Sequence, residues 1–483
     1  MKRNAAKRMR LSLAIVALLP LGACVVGPDY QRASAPTSAD YKEVAGWQRA
    51  TPKDELPRGK WWGVFGDKVL DGLIDRVTVS NQTLKISEAR FRQAQALASA
   101  ARAGLFPTVS ASSGSTRSSA ASSRGGNGVA SNYSLTGNAS WELDIWGRIR
   151  RTVEANDASV EASAADLESA RLSLQSELAT AYFQLRVSDA QKQLFDDTIT
   201  AYEKSLELTR NRYAVGVAGK VDIVQAEAQL LSARAQALDL GVQRAQLEHA
   251  IAVLAGSTPA DFAVTRLETS ATPKVDWQVA LPAIPVGLPS TMLERRPDIA
   301  AAERRMVAAN AQIGVAKAAY FPALSLSSSG GFSSAGIANW ISAPNRFWSL
   351  GTSAAETLLD FGKRDAATLQ AVASYDQTVA SYRQTVLDAF ADVEDSVAAL
   401  RILEAEALVQ ADAVRAARES VTLTLNQYKA GTVSYLAVVT VQTQLLSNER
   451  TSVGLLGRRL NASVALIRAL GGGWKVADLS GGK

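Results

Sequence analysis

Two long stretches of the chain repeat apolar residues at spacings of three and four. In residues 363–430, Val386, Phe390 and Val393 follow this spacing, and the stretch contains no Gly or Pro. Residues 148–215 likewise lack Gly and Pro and carry leucines at similar intervals. Such a seam is typical of helices that pack as coiled coils. Each stretch therefore predicts one helix of roughly 100 Å at 1.5 Å per residue.

Apolar and polar residues alternate in the segment that precedes each of these helices. Tyr133, Leu135 and Trp141 alternate with polar residues, and Trp348 and Leu350 occupy the matching positions further along the chain. Segments of about ten residues with one apolar and one polar face are the signature of transmembrane β-strands. A half-buried strand of a soluble sheet shows the same alternation. The export signal described below favours the membrane interpretation, in which these five side chains face lipid.

The patterns recur because the chain is duplicated with a shift of 215 residues. The shift places Tyr213 on Tyr428 and Gly216 on Gly431, and it holds without a gap through most of both copies. A fixed offset of this kind indicates an internal repeat. These four residues mark the turn between a long and a shorter helix in each copy.

The repeat and the Pro-rich segments divide the chain into six parts. We predict a signal peptide at 1–23, a lipid-anchored irregular strap at 24–66, a first repeat at 67–256, an inter-repeat linker at 257–297, a second repeat at 298–471 and a flexible tail at 472–483. Each repeat begins with a helix. We then expect β-hairpins at about 107–146 and 322–361, long helices at 148–215 and 363–430, and shorter helices at 220–255 and 432–470.

Four predicted strands per chain are too few to close a β-barrel, and a lipid bilayer does not tolerate open strand edges. Two chains supply eight strands, whose interior is filled by side chains, whereas three supply twelve, wide enough for a channel. We therefore predict a mixed α and β membrane protein that assembles as a homotrimer around a twelve-stranded outer-membrane barrel.

The N-terminus has the pattern of a secretory signal followed by a lipidation site. Basic residues are followed by the apolar run LSLAIVALLPLGA, which ends directly before Cys24, the only cysteine of the chain. Leu21-Gly22-Ala23-Cys24 is similar to a bacterial lipobox, so we expect cleavage before Cys24 and acylation of its sulfur. A buried N-terminal helix is the alternative, but Pro20 and Gly22 interrupt it.

Net charge and residue inventory exclude several classes of function. Five of the 52 basic residues precede Cys24, so the remaining 47 nearly balance the 46 acidic ones and give no indication of nucleic-acid binding. His249 is the only histidine, which excludes histidine-based triads and HExxH metal sites. We therefore expect no enzyme activity, no metal, and no cofactor beyond the lipid on Cys24.

Several long motifs match one known family. The segments CVVGPDYQR, WWGVFGDKVLDGLI and VGLPSTMLERRPDIAAAE, followed by AANAQIGVAKAAYFP, closely resemble the NodT/OprM lipoprotein branch of TolC-like outer-membrane factors. The resemblance covers essentially the whole mature chain. It implies a trimer whose β-barrel continues into a long α-helical barrel in the periplasm. It also implies a role as the exit duct of a tripartite efflux system, with a periplasmic adaptor and an inner-membrane transporter as partners.

The resemblance also implies that the turns between long and shorter helices close the periplasmic end. Leu436 matches a leucine that constricts the pore in the family, and Asp222 matches an acidic position of the first copy. Thr440 stands where the family often has an aspartate, so no charged ring is expected there. Val221, Asp222, Leu436 and Thr440 are the candidate gate residues. The alternative for Val221 and Leu436 is that they merely pack helix against helix.

Two functions of other classes compete with the efflux channel. A surface lipoprotein that adheres through a trimeric coiled coil needs no apolar strand face. A lipoprotein hydrolase needs a nucleophile and a base that the sequence does not supply. We therefore expect a passive exit channel for small toxic molecules, opened by its partners.

Overall fold

A computed structural model describes residues 25–36, 41–43, 60–121, 127–266 and 295–472. The predicted signal peptide, Cys24, most of the predicted linker 257–297, and residues 473–483 of the predicted tail lie outside the described residues. No helix in these ranges is long and apolar enough to span a membrane.

Groups of two or three helices are separated by pairs of strands along the described chain. They are α1 (Lys68–Ser80), α2 (Gln82–Ala103), β1 (Thr108–Ala121), β2 (Asn127–Leu143), α3 (Arg148–Ala214), α4 (Lys220–Leu254), α5 (Pro297–Ala318), β3 (Ala323–Ser334), β4 (Arg346–Ala355), α6 (Lys363–Lys429) and α7 (Tyr435–Ala469). Short 3-10 helices occur at Trp61–Phe65, Pro259–Asp261 and Ala343–Asn345.

Corresponding helices of the two copies have equal lengths. The helices α2, α3 and α4 start at 82, 148 and 220, and α5, α6 and α7 start at 297, 363 and 435, a constant shift of 215 residues. Both long helices contain 67 residues, and α4 and α7 contain 35 each. The second shorter helix begins at Tyr435 rather than at 432, because residues 431–434 form the turn that precedes it.

The first repeat begins with two helices where the sequence suggested one. The break lies at Asn81, whose backbone is extended with ψ 126°. The side-chain oxygen of Asn81 accepts a hydrogen bond from the Leu84 N–H (2.9 Å), which is the usual role of an N-cap residue.

The chain forms two compact units that do not coincide with the two repeats. Unit 1 comprises the described residues up to Ser34, Arg90–Ala164 and Ala301–Arg383. Unit 2 comprises Ala35–Ala89, Ala165–Ala300 and the described residues from Gln384 onward. Each unit thus combines segments of both copies.

The repeats combine in unit 1 because their hairpins pair with each other. The strands β1 to β4 form one antiparallel sheet in that order. Its central pairing, β2 with β3, runs from Tyr133 opposite Ser334 to Leu143 opposite Leu324. The sheet therefore joins the two copies through a ladder of backbone hydrogen bonds.

The N-terminal described segment is part of unit 1 and packs against its helices. The Val26 N–H donates to the Trp146 carbonyl (3.1 Å), and the Asn310 amide donates to the Pro28 carbonyl (2.9 Å). The buried guanidinium of Arg151 contacts both Asp29 and Glu154 at 2.8 Å. The predicted strap is thus held against α3 and α5 over its first described residues.

The strap residues nearest to α1 belong to the core of unit 2. Trp61, Trp62 and Phe65 are almost fully buried in a 3-10 helix, and Phe65 packs edge-on against Phe183 with ring centroids 5.0 Å apart. The prediction of an irregular outer strap therefore fails for these residues. The reason is their large apolar area, whose burial stabilises the fold.

Candidate functional site

The turns between the long and the shorter helices have the same geometry in both copies. Gly216 and Gly431 both have a φ of 79°, a left-handed conformation that glycine adopts without a steric penalty. The Val217 N–H donates to the Arg212 carbonyl at 2.9 Å, and the Thr432 N–H donates to the Gln427 carbonyl at 3.0 Å. These bonds span the helix end as in a Schellman motif, so each glycine terminates its long helix.

One arginine ties the two turns together. Arg212, in the last turn of α3, donates from Nη1 to the carbonyl oxygen of Lys429 at the end of α6 (2.8 Å). Its guanidinium carbon also lies 4.7 Å from the ring centroid of Tyr428. The cation therefore meets both the negative end of a helix dipole and an aromatic face, and each contact is favourable.

Tyr428 is the centre of an aromatic cluster at these turns. Its side chain is 3% exposed, its hydroxyl lies 3.4 Å from Thr209 Oγ1, and its ring meets that of Tyr435 edge-on at 5.4 Å. Burial, followed by the neighbouring Tyr428, raises the pKa of Tyr435 above its ordinary value. The Tyr435 hydroxyl is buried and has no hydrogen-bond partner among the described residues.

The two tyrosines at corresponding turn positions differ in environment. Tyr213 is 46% exposed, whereas Tyr428 is buried. Tyr428 is covered by Arg212 and Tyr435, and the residues that correspond to these two under the 215-residue shift are Gln427 and Lys220. A polar amide and an ammonium do not provide the same cover.

The candidate gate residues lie in the first turn of α4 and in the first two turns of α7. Val221 is 62% exposed and Leu436 is 56% exposed, so the rest of the chain covers neither of them. The Thr440 hydroxyl donates to the Leu436 carbonyl (2.9 Å), a bond within α7. Asp222 accepts a hydrogen bond from the Gly219 N–H (3.3 Å) and so caps the start of α4.

The five predicted lipid-facing residues lie on one face of the sheet. Residues that pair across antiparallel strands share a face, and Gly330 pairs with both Gly137 and Trp348. Because faces alternate along each strand, Tyr133, Leu135 and Trp141 share the face of Gly137, and Leu350 shares that of Trp348. Trp348 is 82% exposed and Leu350 is 74% exposed.

The opposite face of the sheet consists mainly of small hydroxyl residues. Ser325 and Ser353 contact each other through their hydroxyls at 2.8 Å, and Ser329 and Ser349 do so at 2.7 Å. Thr136, Ser112 and Ser134 share this face. The sheet therefore has one face that carries most of its large apolar side chains and one face lined mainly by hydroxyl groups.

Sequence reasoning missed the residues that join the turns. Arg212, Thr209 and Tyr435 were not predicted as site residues, and they lie far from Tyr428 along the chain or in a different helix. One signal was present in the sequence. Arg212 and Tyr435 break the repeat, since their counterparts are Gln427 and Lys220.

Comparison with known proteins identifies relatives of this chain. Residues 73–257 and 288–472 each match the family model described as outer membrane efflux protein. The chain is 33% identical over 470 residues to the probable efflux pump outer membrane protein TtgC of Pseudomonas putida, covering 96% of this chain and 95% of that protein. It is 31% identical over 473 residues to the pyoverdine export outer membrane protein OpmQ of Pseudomonas aeruginosa, covering 95% and 96%.

Solved structures of outer-membrane channels share the same mixed α and β fold. The outer-membrane channel OprN superimposes with a TM-score of 0.85 at 30% identity, covering 93% of this chain and 100% of that chain. The open state of the MtrE outer membrane channel of Neisseria gonorrhoeae superimposes with a TM-score of 0.82 at 27% identity, covering 94% and 99%.

Proposed function

This chain belongs to the outer membrane efflux protein family, and we propose that it is the passive exit channel of a tripartite pump, closed at its periplasmic end until its partners open it. It is an outer-membrane protein of a Gram-negative bacterium and takes part in efflux, as its relatives do. Membership in this family favours the channel over the two alternatives, an adhesive lipoprotein and a hydrolase.

The observation that supports the channel is the two-faced sheet. Its apolar face carries Trp348 and Leu350, both largely exposed, and its other face carries serine hydroxyls. This arrangement suits lipid on one side and water on the other. A single chain supplies four strands, so three chains supply the twelve that enclose an aqueous lumen.

The gate lies at the helix turns. Leu436 and Val221 are exposed at the first turns of α7 and α4, where copies related by a threefold axis place three of each around one opening. A ring of leucine side chains excludes hydrated solutes because polar groups lose their hydration there. Asp222 and the turn residues Tyr213 and Gly216 are available for contact with an adaptor.

The partners and the cargo follow from the kind of pump. The chain has no recognisable motif for energy coupling, so an inner-membrane transporter supplies the driving force and a periplasmic adaptor connects the two. Relatives are named for toluene, solvent, antibiotic and pyoverdine export. We assign to this chain the export of small toxic molecules. Acylation of Cys24 anchors the chain in the membrane in addition to the barrel. The mass of the mature N-terminal peptide tests whether Cys24 is acylated.

The decisive experiment is reconstitution of the mature chain, extracted from outer membranes, into planar bilayers. We expect a mass of three chains in detergent and long-lived pores of low conductance that show brief openings. A monomer that inserts no pores would refute the proposal, and a trimer that conducts without any closed state would refute the gate alone.

A further inference from the structure

A cavity of about 430 Å³ lies in unit 2 between α3, α6 and α7. Its apolar walls are formed by Leu208 from α3, Val421 and Leu425 from α6, and Leu445 and Leu446 from α7. The volume lies within the ~300–1,000 Å³ of cavities that hold small ligands, and such cavities are mostly apolar with a few placed polar groups.

The base of this cavity contains a buried polar pair. Gln442 and Ser205 are 5% and 6% exposed, and the Gln442 amide donates to the Ser205 hydroxyl oxygen at 3.1 Å. The Gln442 carbonyl oxygen in turn accepts from the Gln229 amide at 3.3 Å. Ser205 is the acceptor in its bond with Gln442, so its hydroxyl retains the capacity to donate one hydrogen bond.

The rim of the cavity is positively charged. Lys204 and Lys429 line it, both are exposed, and neither ammonium has an ion-pair partner among the described residues. The acidic residue of the lining, Glu449, is already paired with Arg418 at 2.7 Å. The charge left uncompensated at the rim is therefore positive.

We propose that this cavity binds a small anionic amphiphile. Its apolar body lies against the leucines, and its carboxylate or sulfonate meets Lys204 and Lys429, forming charge-assisted bonds at the rim. The lining reaches the end of α6 at Lys429, and it includes neither Leu436 nor any residue of the strand face. Its occupation is measured without transport, so the proposal stands or falls independently of the channel function.

The test is a fluorescence titration of the full chain in lipid nanodiscs with two dansyl probes. Dansylglycine is anionic and dansylamide is neutral, and empty nanodiscs correct for partition into lipid. We expect saturable binding of dansylglycine. The double variant Lys204→Gln with Lys429→Gln should weaken that binding at least about tenfold and leave dansylamide unchanged. The matched control is Lys317→Gln with Lys363→Gln, two exposed lysines of unit 1 that are not part of the lining, and it should have no effect.

A second variant separates the cavity from any other apolar surface. Ala201, a small exposed residue of the lining, is replaced by Trp to fill the cavity, and both probes should then be lost. Several results would overturn the proposal: no saturable binding below about 1 mM, equal affinities in the lysine variant and the wild type, or probe binding that survives Ala201→Trp. Failure of a maleimide to label Ala201→Cys would also overturn it, because the cavity would then be covered by another chain.

Discussion

The side-chain amide of Asn81 donates a 2.8 Å hydrogen bond to the carbonyl oxygen of Leu254, the last residue of α4. The corresponding contact of the second copy is made by a different side chain. Arg296 donates from Nη1 to the carbonyl oxygen of Ala469, the last residue of α7, at 3.2 Å. In both copies, therefore, the residue before the first turn of α2 or α5 donates a hydrogen bond to the last carbonyl of the shorter helix. That carbonyl has no partner within its own helix.

Replacing Asn81 by Ala removes this bond and the cap of α2 together. Asn81 is 4% exposed, so the Leu254 carbonyl remains buried without its donor. We expect a loss of about 2 kcal/mol in the free energy of unfolding, measured by circular dichroism during denaturant unfolding in detergent. Lys85→Ala, an exposed substitution on α2, should change stability by less than about 0.5 kcal/mol. Equal stabilities of the two variants would contradict the assigned role.

Gly256 lies close to this contact, because it follows the end of α4 and approaches Ser80, the residue before Asn81. Its φ is 70°, and a Cβ at this position would lie 2.3 Å from the Ser80 carbonyl oxygen. Gly256→Ala should therefore cost at least about 2 kcal/mol in the same assay. Gly241, in the interior of α4, has no atom within 4 Å of its would-be Cβ, so Gly241→Ala should stabilise by up to about 1 kcal/mol. If Gly256→Ala stabilised the protein as Gly241→Ala does, the close approach to Ser80 would not restrict the residue at position 256.

Much of the fold was predictable because the helical and the strand-like patterns of apolar residues are clear and are bounded by Gly and Pro. The boundaries of α3 and α6 follow from the absence of these residues between Gly147 and Gly216 and between Gly362 and Gly431. The alternation of apolar and polar residues predicted that Leu135 and Trp348 lie on the apolar side of their strands. The antiparallel register puts both residues on one face of the sheet.

Contacts that depend on distant partners were not predictable. Arg212 meets Tyr428 only because α3 and α6 end side by side, and no local pattern reports such a neighbour. Asparagine is a common N-cap residue, but the second bond of Asn81 was not predictable, because the carbonyl that accepts it lies on α4.

Removing the tie between the turns should loosen the closed end. Arg212→Ala eliminates the bond to the Lys429 carbonyl and the contact with the Tyr428 ring. We expect at least about a threefold larger fraction of time in the open state in planar bilayers, because the proposed function assigns both contacts to the closed state. Arg210→Ala, which removes an exposed ion pair with Glu227, should leave the open fraction unchanged. No difference between the two variants would mean that the tie does not restrain the turns.

The strand face has a test that compares adjacent residues. Trp348→Asp puts a charge on the apolar face, where it costs up to a few kcal/mol per chain in lipid, and trimers should fail to assemble in the outer membrane. Ser349→Asp puts the same charge on the hydroxyl-lined face, which the proposal gives to water, and trimers should form normally. Assembly is measured as the heat-modifiable trimer on gels of outer-membrane fractions. Normal assembly of Trp348→Asp would refute the lipid-facing assignment.

Leu436 gives the sharpest test of the gate, because the chain contains an almost equally exposed leucine outside the turns. Leu436 is 56% exposed at the start of α7, and Leu423 is 55% exposed on α6. Leu436→Ser should raise single-channel conductance several-fold, since a ring of three hydroxyls hydrates an opening that three isobutyl groups keep dry. Leu423→Ser should leave conductance unchanged, so a general loosening of the helices is separated from an effect at the constriction. If both variants conduct as the wild type does, Leu436 does not close the pore. The hydrogen bond between Arg212 and Lys429 is then the next candidate for the restraint.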